Sequence, residues 1–270
     1  MYRLLSTCCA AVVSSAAQAQ PTDLTVDMSQ SSINLTVTLD TIVGSRTDSD
    51  SAAMTGSMRI ELDSYESPTT ITLHQYELNA GSLSFFFDYS FLGTISATAE
   101  GMSMSMPAGA TPVTGTVMPD GTFLVTDVPN QTAGLISVTG TGAAGTALND
   151  TMLDLSTLPQ DPIEVSGIVN VDAGVVTIAI SLPLDNSTMD PNTGTTVTLA
   201  GSATVIANGD VPEPVCLPDT NGDGAVTPAD FSAWIAAFNA MAPACDQNGD
   251  GACTPADFSA WVGNYNAGCN

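Results

Sequence analysis

Two twelve-residue segments near the C-terminus carry oxygen-bearing residues at a repeated spacing. They read DTNGDGAVTPAD from Asp219 to Asp230 and DQNGDGACTPAD from Asp246 to Asp257, and the second begins 27 residues after the first. Calcium prefers roughly six to eight oxygen ligands, which a loop supplies from positions 1, 3, 5, 7, 9 and 12 when glycine at position 6 permits a sharp turn. Both segments meet this pattern, so the sequence predicts two bound Ca²⁺ ions.

Each predicted calcium site takes its ligands from one loop. The ligands of the first site are Asp219, Asn221, Asp223, the carbonyl of Ala225, Thr227 and Asp230. Those of the second are Asp246, Asn248, Asp250, the carbonyl of Ala252, Thr254 and Asp257. The threonines at position 9 would bind directly or through water. Position 12 is Asp where the general pattern has Glu, so each loop has to close more tightly for both carboxylate oxygens to reach the ion.

A helix is predicted to leave each loop. Thr227 stands where an N-cap belongs, Pro228 follows at the first helical position, and Asp230 lies three residues after the threonine. This order predicts a capping box, in which threonine and aspartate satisfy free amides at the helix start. Thr254, Pro255 and Asp257 repeat it. One aspartate in each repeat would therefore close the metal loop and also cap the helix.

The two predicted helices each carry an apolar stripe at spacings i, i+3, i+4 and i+7, which is typical of one buried helix face. The stripe residues are Phe231, Trp234, Ile235 and Phe238 in the first helix, and Phe258, Trp261, Val262 and Tyr265 in the second. We expect these side chains to form a small core, rather than a ligand-binding surface.

No helix is expected to enter either loop, because Pro218 directly precedes the first and Pro243 lies three residues before the second. Two units of loop plus exit helix, with Asp at position 12, resemble the dockerin module of secreted polysaccharide-degrading assemblies. The resemblance covers residues 216–270 and implies docking onto a cohesin-like or other protein partner. Dockerins use hydroxyl residues at loop positions 10 and 11 for that contact, whereas this chain has Pro228-Ala229 and Pro255-Ala256.

The N-terminus predicts export. Residues 1–19 have one basic residue, Arg3, an apolar run and an Ala17-Gln18-Ala19 end, which is typical of a secretory signal peptide cleaved after Ala19. We therefore expect a secreted protein, extracellular or at the cell surface. The four cysteines that remain after cleavage are expected to form two disulfides, for which three connectivities are possible: Cys216, Cys245, Cys253 and Cys269. The dockerin resemblance, which brings the module's termini together, implies Cys216 with Cys269 and Cys245 with Cys253.

The charge of the chain restricts its partners. There is no lysine, and Arg46 and Arg59 are the only basic residues after cleavage, against 28 acidic residues. Such a surface repels phosphate backbones and anionic lipids, so we expect no nucleic-acid partner. No segment approaches the roughly 20 apolar residues of a membrane-spanning helix, so we also expect no membrane span.

Residues 20–210 alternate apolar with Ser and Thr side chains, which predicts antiparallel strands with one face in water. The alternation is clear in Ile33–Leu39, Met58–Leu62, Ile95–Ala99, Met102–Met106 and Val176–Leu182. Breaks are predicted at Gly44–Ser51, Pro107–Pro112, Pro119–Gly121, Gly140–Asp150 and Asp185–Gly194. The fold class is therefore mainly β, with about ten strands in a meander closed as a β-barrel or packed as a β-sandwich. Residues 211–215 form a Pro-rich linker to the small all-α module.

The β domain offers little for catalysis. His74 is the only histidine, and the usual nucleophile and base combinations cannot be assembled without lysine or a free cysteine. Aromatic residues could form a sugar-binding face, but Phe85 and Phe87 must point to the opposite side of their strand from Phe86. At least part of the cluster must therefore be core, and we expect core packing rather than a carbohydrate-binding surface. Its members are Tyr65, Tyr76, Phe85, Phe86, Phe87, Tyr89 and Phe91.

These patterns predict a secreted calcium-binding protein whose dockerin-like module mediates protein association and presents a non-catalytic β domain. The alternative is a polysaccharide-degrading hydrolase or accessory protein, tethered through the dockerin-like module. In that case a pair of carboxylates would act as a glycoside hydrolase does. No catalytic residue can be named from the sequence.

Overall fold

The computed structural model describes residues 20–145, 151–189, 194–212 and 216–269. The predicted signal peptide, residues 1–19, lies outside this part of the chain, as do Glu213 to Val215 of the predicted linker. The chain divides into two compact units. The β unit lies within Ala19–Pro212, and the helical unit contains the described part of Glu213–Asn270.

The described part of the β unit contains fourteen strands, and every strand pairing is antiparallel. The first seven are β1 (Thr22–Val26), β2 (Ser32–Thr41), β3 (Gly44–Leu62), β4 (Thr70–Ala80), β5 (Leu83–Asp88), β6 (Thr94–Ser105) and β7 (Val113–Val117). The others are β8 (Thr122–Val128), β9 (Gln131–Gly140), β10 (Thr151–Asp154), β11 (Ile163–Asp172), β12 (Val175–Pro183), β13 (Asn186–Met189) and β14 (Thr196–Asp210). A single helical turn, α1, spans Gly142–Gly145.

Eight of the strands close into a ring. The order around it is β1, β3, β4, β7, β8, β11, β12 and β14, and β14 pairs with β1 again through Thr25 with Asn208 and Val26 with Ala207. All eight strands point apolar side chains into one core, which includes Leu24, Ile60, Ile71, Phe123 and Ile178. The predicted alternation therefore produces a closed ring whose inside is filled by side chains.

A second core lies outside the ring and is formed by other strands. It contains Val37 and Leu39 of β2, Phe85 and Phe87 of β5, and Ile95 of β6, with partly buried side chains from β9 and β14. β3 has 19 residues and β14 has 15, long enough for each to take part in the ring with one end and to pair with β2 with the other. Two long strands thus belong to both halves of the β unit.

Two predicted breaks contain strands. Gly44–Ser51, which contains glycine and aspartates, was predicted to be a break. It forms the first part of β3 and pairs with β2 from Gly44 opposite Thr41 to Ser51 opposite Asn34. The polar side chains are compatible with a strand here because those facing inward accept hydrogen bonds. Asp185–Gly194 contains β13, which pairs with β14. The estimate of about ten strands was therefore too low.

The helical unit has two helices of 13 residues, α2 (Pro228–Ala240) and α3 (Pro255–Ala267). A short 3-10 turn at Pro243–Cys245 precedes the second loop, and the described residues before the first loop form no helix. The structure therefore has the predicted order of loop, helix, loop, helix. Within the described residues, no helix is long and apolar enough to cross a membrane.

Candidate functional site

The two predicted calcium loops have almost the same internal hydrogen bonds. Oδ1 of Asp219 accepts from the amides of Gly222 at 2.9 Å and Asp223 at 3.1 Å, and its Oδ2 accepts from Gly224 at 2.8 Å. Asp246 makes the same three contacts 27 residues later, at 2.8, 3.2 and 2.8 Å. The aspartate at position 1 therefore organises each turn through backbone amides.

The glycines of both loops have left-handed backbone conformations. Gly224 at position 6 has φ of 83° and Gly251 has φ of 81°, while the glycines at position 4 also have positive φ. A Cβ atom added at either position 6 would meet no atom within 4 Å. Glycine is therefore required by the backbone conformation, which L side chains rarely adopt, and not by a shortage of space.

The last aspartate of each loop caps the exit helix, as the sequence predicts, and also accepts hydrogen bonds from amides within its own loop. Asp257 Oδ2 accepts from the amide of Thr254 at 2.7 Å, which completes a capping box at the start of α3, and Oδ1 accepts from the amide of Gln247 at 2.9 Å within the loop. Asp230 Oδ2 accepts from the amide of Thr227 in the same way, and its Oδ1 accepts from the amide of Asn221, which is the equivalent of Asn248 in the second loop. Both aspartates are 0% exposed, so each loop folds around a buried carboxylate.

These contacts change the acidity of both carboxyls. The amide of Thr227, followed by that of Asn221, holds the pKa of Asp230 below its usual value even though burial raises it. For Asp257, burial is the largest single effect and raises the pKa. The hydrogen bonds from the amides of Thr254, Gln247 and Asn248 act in the opposite direction, and together they outweigh burial. The net pKa of Asp257 is also lowered. Both groups are therefore held as carboxylates, the form that binds a cation.

The donor set suits a hard cation, although its carboxylates are not gathered into a cluster. Each loop offers oxygen atoms only, and hydrogen bonds connect Asp219, Asn221, Asp223 and Asp230 into one network. Within the described chain, however, no three His, Cys, Asp or Glu side chains form a group able to hold a metal. Calcium, which the dockerin resemblance implies, therefore fits the residue types and the turn, whereas the loop oxygens are engaged by amides.

The two exit helices meet through aromatic rings. The ring centroids of Phe231 and Trp261 are 5.1 Å apart, and the equivalent pair, Phe258 and Trp234, is 5.6 Å apart. Trp234 and Trp261 are buried. The predicted stripe was too wide, however, because Ile235 is 41% exposed, and Phe258 and Val262 are also exposed. Ile235 and Val262, both at i+4, remain exposed because two helices alone cannot surround the whole stripe.

Each tryptophan also donates a hydrogen bond to the other repeat. Nε1 of Trp234, in α2, donates to the carbonyl of Cys245 at 3.1 Å, just before the second loop. Nε1 of Trp261, in α3, donates to the hydroxyl of Thr220 at 3.3 Å in the first loop. The two repeats are therefore connected by hydrogen bonds in both directions.

Two disulfides complete the helical unit. Cys216 is bonded to Cys269 with a Cα separation of 5.1 Å, and Cys245 is bonded to Cys253 with a separation of 5.6 Å. This is the pairing that the dockerin resemblance implied. Disulfides are typical of proteins that fold in an oxidising compartment. The first bond joins the two ends of the unit, while the second spans part of the second predicted calcium loop.

The β unit has no comparable constellation among its described residues. His74 lies on the strand surface, half-buried, with Nε2 at 2.9 Å from Oε2 of Glu61. Phe85 and Phe87 are buried and Phe86 is 57% exposed, as the alternation predicts. Phe91 is the most exposed aromatic side chain described, at 94%. Most of the predicted aromatic cluster is therefore core, and the exposed members do not form a continuous face.

A cleft of about 520 Å³, which no sequence pattern indicated, lies at one end of the ring between the β3–β4 loop, the β7–β8 turn and β11. Its lining includes Val117 and Val169 and two acidic residues, Glu66 and Asp120. Oδ1 of Asp120 accepts from the amide and hydroxyl of Thr122. Residues distant in the chain form this cleft, and only their pairing in the ring brings them together.

Comparison with known proteins adds little. The chain matches no family model, and no curated protein is significantly similar to it. A search of solved structures finds Ail, the attachment invasion locus protein of Yersinia pestis, whose crystal structure holds the heparin analogue sucrose octasulfate. The match covers 70% of this chain and 97% of that chain, with 8% identity and a TM-score of 0.28. A TM-score this low carries no argument about fold or function.

Proposed function

We propose that residues 216–270 form a dockerin-like module that binds two calcium ions and mediates protein association outside the cell. The observation that carries this proposal is the repeated framework of hydrogen bonds. Asp219 and Asp246 hold their loops through the same three amides, 27 residues apart. A chance Gly- and Asp-rich turn has no reason to recur with the same contacts and to lead each time into a capped helix.

Calcium has a clear chemical task in this module. Each loop carries three carboxylates within twelve residues, and the chain has no lysine to neutralise them. The module is also small, in the size range that needs metals or disulfides for stability. Binding a ligand only to the folded state adds RT ln(1 + [Ca²⁺]/Kd), about 2.7 kcal/mol at 100 times Kd. Calcium would therefore fold the module as well as occupy it.

The partner is a cohesin-like domain or another protein. Pro228 and Pro255 are the first residues of their helices, so positions 10 and 11 offer no hydroxyl groups to a partner. The helices instead expose apolar side chains at Ile235, Phe258 and Val262. We therefore propose a contact that relies more on apolar side chains than the dockerin pattern does. The β unit, exported with the module, is presented by this association and has no catalytic role.

Calorimetry and tryptophan emission test the calcium assignment. Trp234 and Trp261 are the only tryptophans of the chain, so emission reports on the helical unit alone. Adding calcium to chelated protein should shift the emission to the blue, with about two ions bound per chain. The double variant Asp223→Ala, Asp250→Ala should lose both signals. The matched control, Asp161→Ala with Asp172→Ala, removes the same charge from exposed sites of the β unit and should bind normally.

The opposite outcome is equally clear. If the emission does not move and no heat appears at millimolar calcium, the loops are not calcium sites. Capture of protein partners from the secreted fraction, with and without calcium, then tests the second half of the proposal. A partner that binds equally well in chelator would contradict a calcium-dependent association.

The alternative function is that of a polysaccharide-acting hydrolase or accessory protein. The observation that favours it is the cleft at the end of the ring, whose lining includes two acidic residues, Glu66 and Asp120, of the type that glycoside hydrolysis uses in pairs. Release of reducing ends from a panel of polysaccharides by the full chain would support this function. The release should be absent in Glu66→Gln, and unchanged in Glu164→Gln, an exposed residue of β11 outside the cleft.

A further inference from the structure

We propose that the two calcium loops differ in affinity and that the second is the tighter site, because the Cys245–Cys253 disulfide holds it closed. This inference rests on the proposed calcium function and concerns how that function is divided between the loops. Cys245 directly precedes position 1 of the second loop, and Cys253 is position 8. The bond therefore encloses the ligands Asp246, Asn248 and Asp250 within a short covalent ring.

The first loop has no such bond. The residues equivalent to Cys245 and Cys253, 27 positions earlier, are Pro218 and Val226. The other disulfide, Cys216–Cys269, joins the ends of the unit and encloses both loops alike. The loops therefore have matching ligands and matching turns, and they differ in the Cys245–Cys253 disulfide, which we call the clamp.

The residue at position 2 also anchors the second loop more firmly than the first. Gln247, in the second loop, is buried, and its Nε2 donates to the carbonyls of Leu217 at 2.9 Å and Ala244 at 3.2 Å. Nδ2 of Asn264 donates to both the carbonyl and Oε1 of Gln247 at 3.1 Å. The first loop has Thr220 at position 2 and Ala237 in place of Asn264, so these bonds have no counterpart there.

The expected difference in calcium affinity arises in the calcium-free state of the loops. Repulsion between its carboxylates tends to open each loop, and the ion must then reorder the chain as it binds. The clamp removes most open conformations of the second loop in advance, as a short covalent ring does in an unfolded chain. Less ordering is needed for binding, and preorganisation of this kind appears as tighter affinity. The first loop has to be ordered by the ion itself.

Single-site chains separate the two affinities. Asp223→Ala removes the first site and leaves the second, while Asp250→Ala does the reverse. Calorimetry with calcium should give a Kd for the remaining second site that is lower by about tenfold or more, the size of effect that supporting residues have on metal sites. Two equal dissociation constants would overturn the inference and leave the calcium assignment intact. Absence of heat in both chains would instead overturn the proposed function.

Moving the clamp tests its causal role. In the Asp223→Ala chain, Cys245→Ala with Cys253→Ala should weaken the remaining site by about tenfold. In the Asp250→Ala chain, Pro218→Cys with Val226→Cys should form the equivalent bond and tighten the first site. Tryptophan emission at saturating calcium checks that each variant folds. A transferred disulfide that forms without tightening the first site would contradict the proposal even where the clamp-free variant fails to fold.

Discussion

The backbone amide of Phe86 donates a hydrogen bond of 2.7 Å to Oδ2 of Asp48, a side chain on another strand. Two residues away on each strand, the amide of Ser84 does the same with Oδ2 of Asp50, also at 2.7 Å. One edge of β5 pairs with β6 in the ordinary way. On the other edge, aspartate carboxylates of β3 take the place of backbone carbonyls, so the sheet continues through side chains.

Removing these carboxylates should weaken the β unit. Asp48→Ala and Asp50→Ala each take away the acceptor of an amide on β5, and we expect each to lower the free energy of unfolding by about 1 kcal/mol, since the bonds are partly solvated. Chemical denaturation followed by far-UV circular dichroism measures the change. Asp40→Ala is the matched control, because Asp40 is an exposed carboxylate of the same hairpin. An equal loss of stability in the control would show that the removal of a negative charge is responsible, and not the loss of the hydrogen bonds to the β5 amides.

Removing calcium should unfold the helical unit and leave the β unit folded. The β unit has two hydrophobic cores of its own, and none of the predicted calcium ligands belongs to it. In chelator, the β signal of circular dichroism and its thermal transition should persist while tryptophan emission moves to the red. Loss of the β signal on chelation would mean that the two units unfold as one.

Acid should act on the helical unit through Asp230 and Asp257. Their pKa values are lowered in the folded state, so an unfolded chain, with an aspartate pKa of about 3.9, binds more protons between the two values. Their stabilising contribution is therefore complete above about pH 4 and is lost as the pH falls through the lowered pKa. Calcium strengthens the same trend because it binds the ionised form.

An acid titration of tryptophan emission at saturating calcium measures this dependence. The double variant Asp230→Asn, Asp257→Asn keeps the size of both side chains but removes the ionisable group. Its helical unit should be less stable at neutral pH, with a weaker dependence on pH below 4. The control Asp161→Asn, Asp172→Asn should follow the unmodified chain. An acid transition of the same size in the first double variant would exclude these two carboxyls as its source.

Local patterns allowed much of this structure to be predicted. The capping boxes, the glycine turns and the buried face of β12 depend on residues close together in the chain, so the spacing of residue types is sufficient. The first part of β3 could not be predicted in this way. Asp48 and Asp50 occupy inward positions where the alternation rule demands apolar residues, and their partners on β5 are more than 30 residues away.

In the candidate site, too, features set by residues close together in the chain could be predicted, and features set by distant residues could not. The ligand set of each loop is contained in twelve residues, whereas the anchoring of the second loop depends on Gln247 and on Asn264, which lies 17 residues further along the chain. The difference between Thr220 and Gln247 at position 2 was visible in the repeats. The anchoring role of Gln247 could be recognised only once the position of α3 was known. The exposure of Ile235 also depends on the number of helices in the unit, which periodicity alone does not reveal.

The length of β3 and β14 makes the β unit indivisible. Because both strands pass from the ring into the second core, no cut between two strands yields one half with all of its partners. A protease that nicks a surface turn would leave the fragments associated. Recombination between genes could not exchange one half without also replacing strands of the other, so the two halves have to change together in evolution.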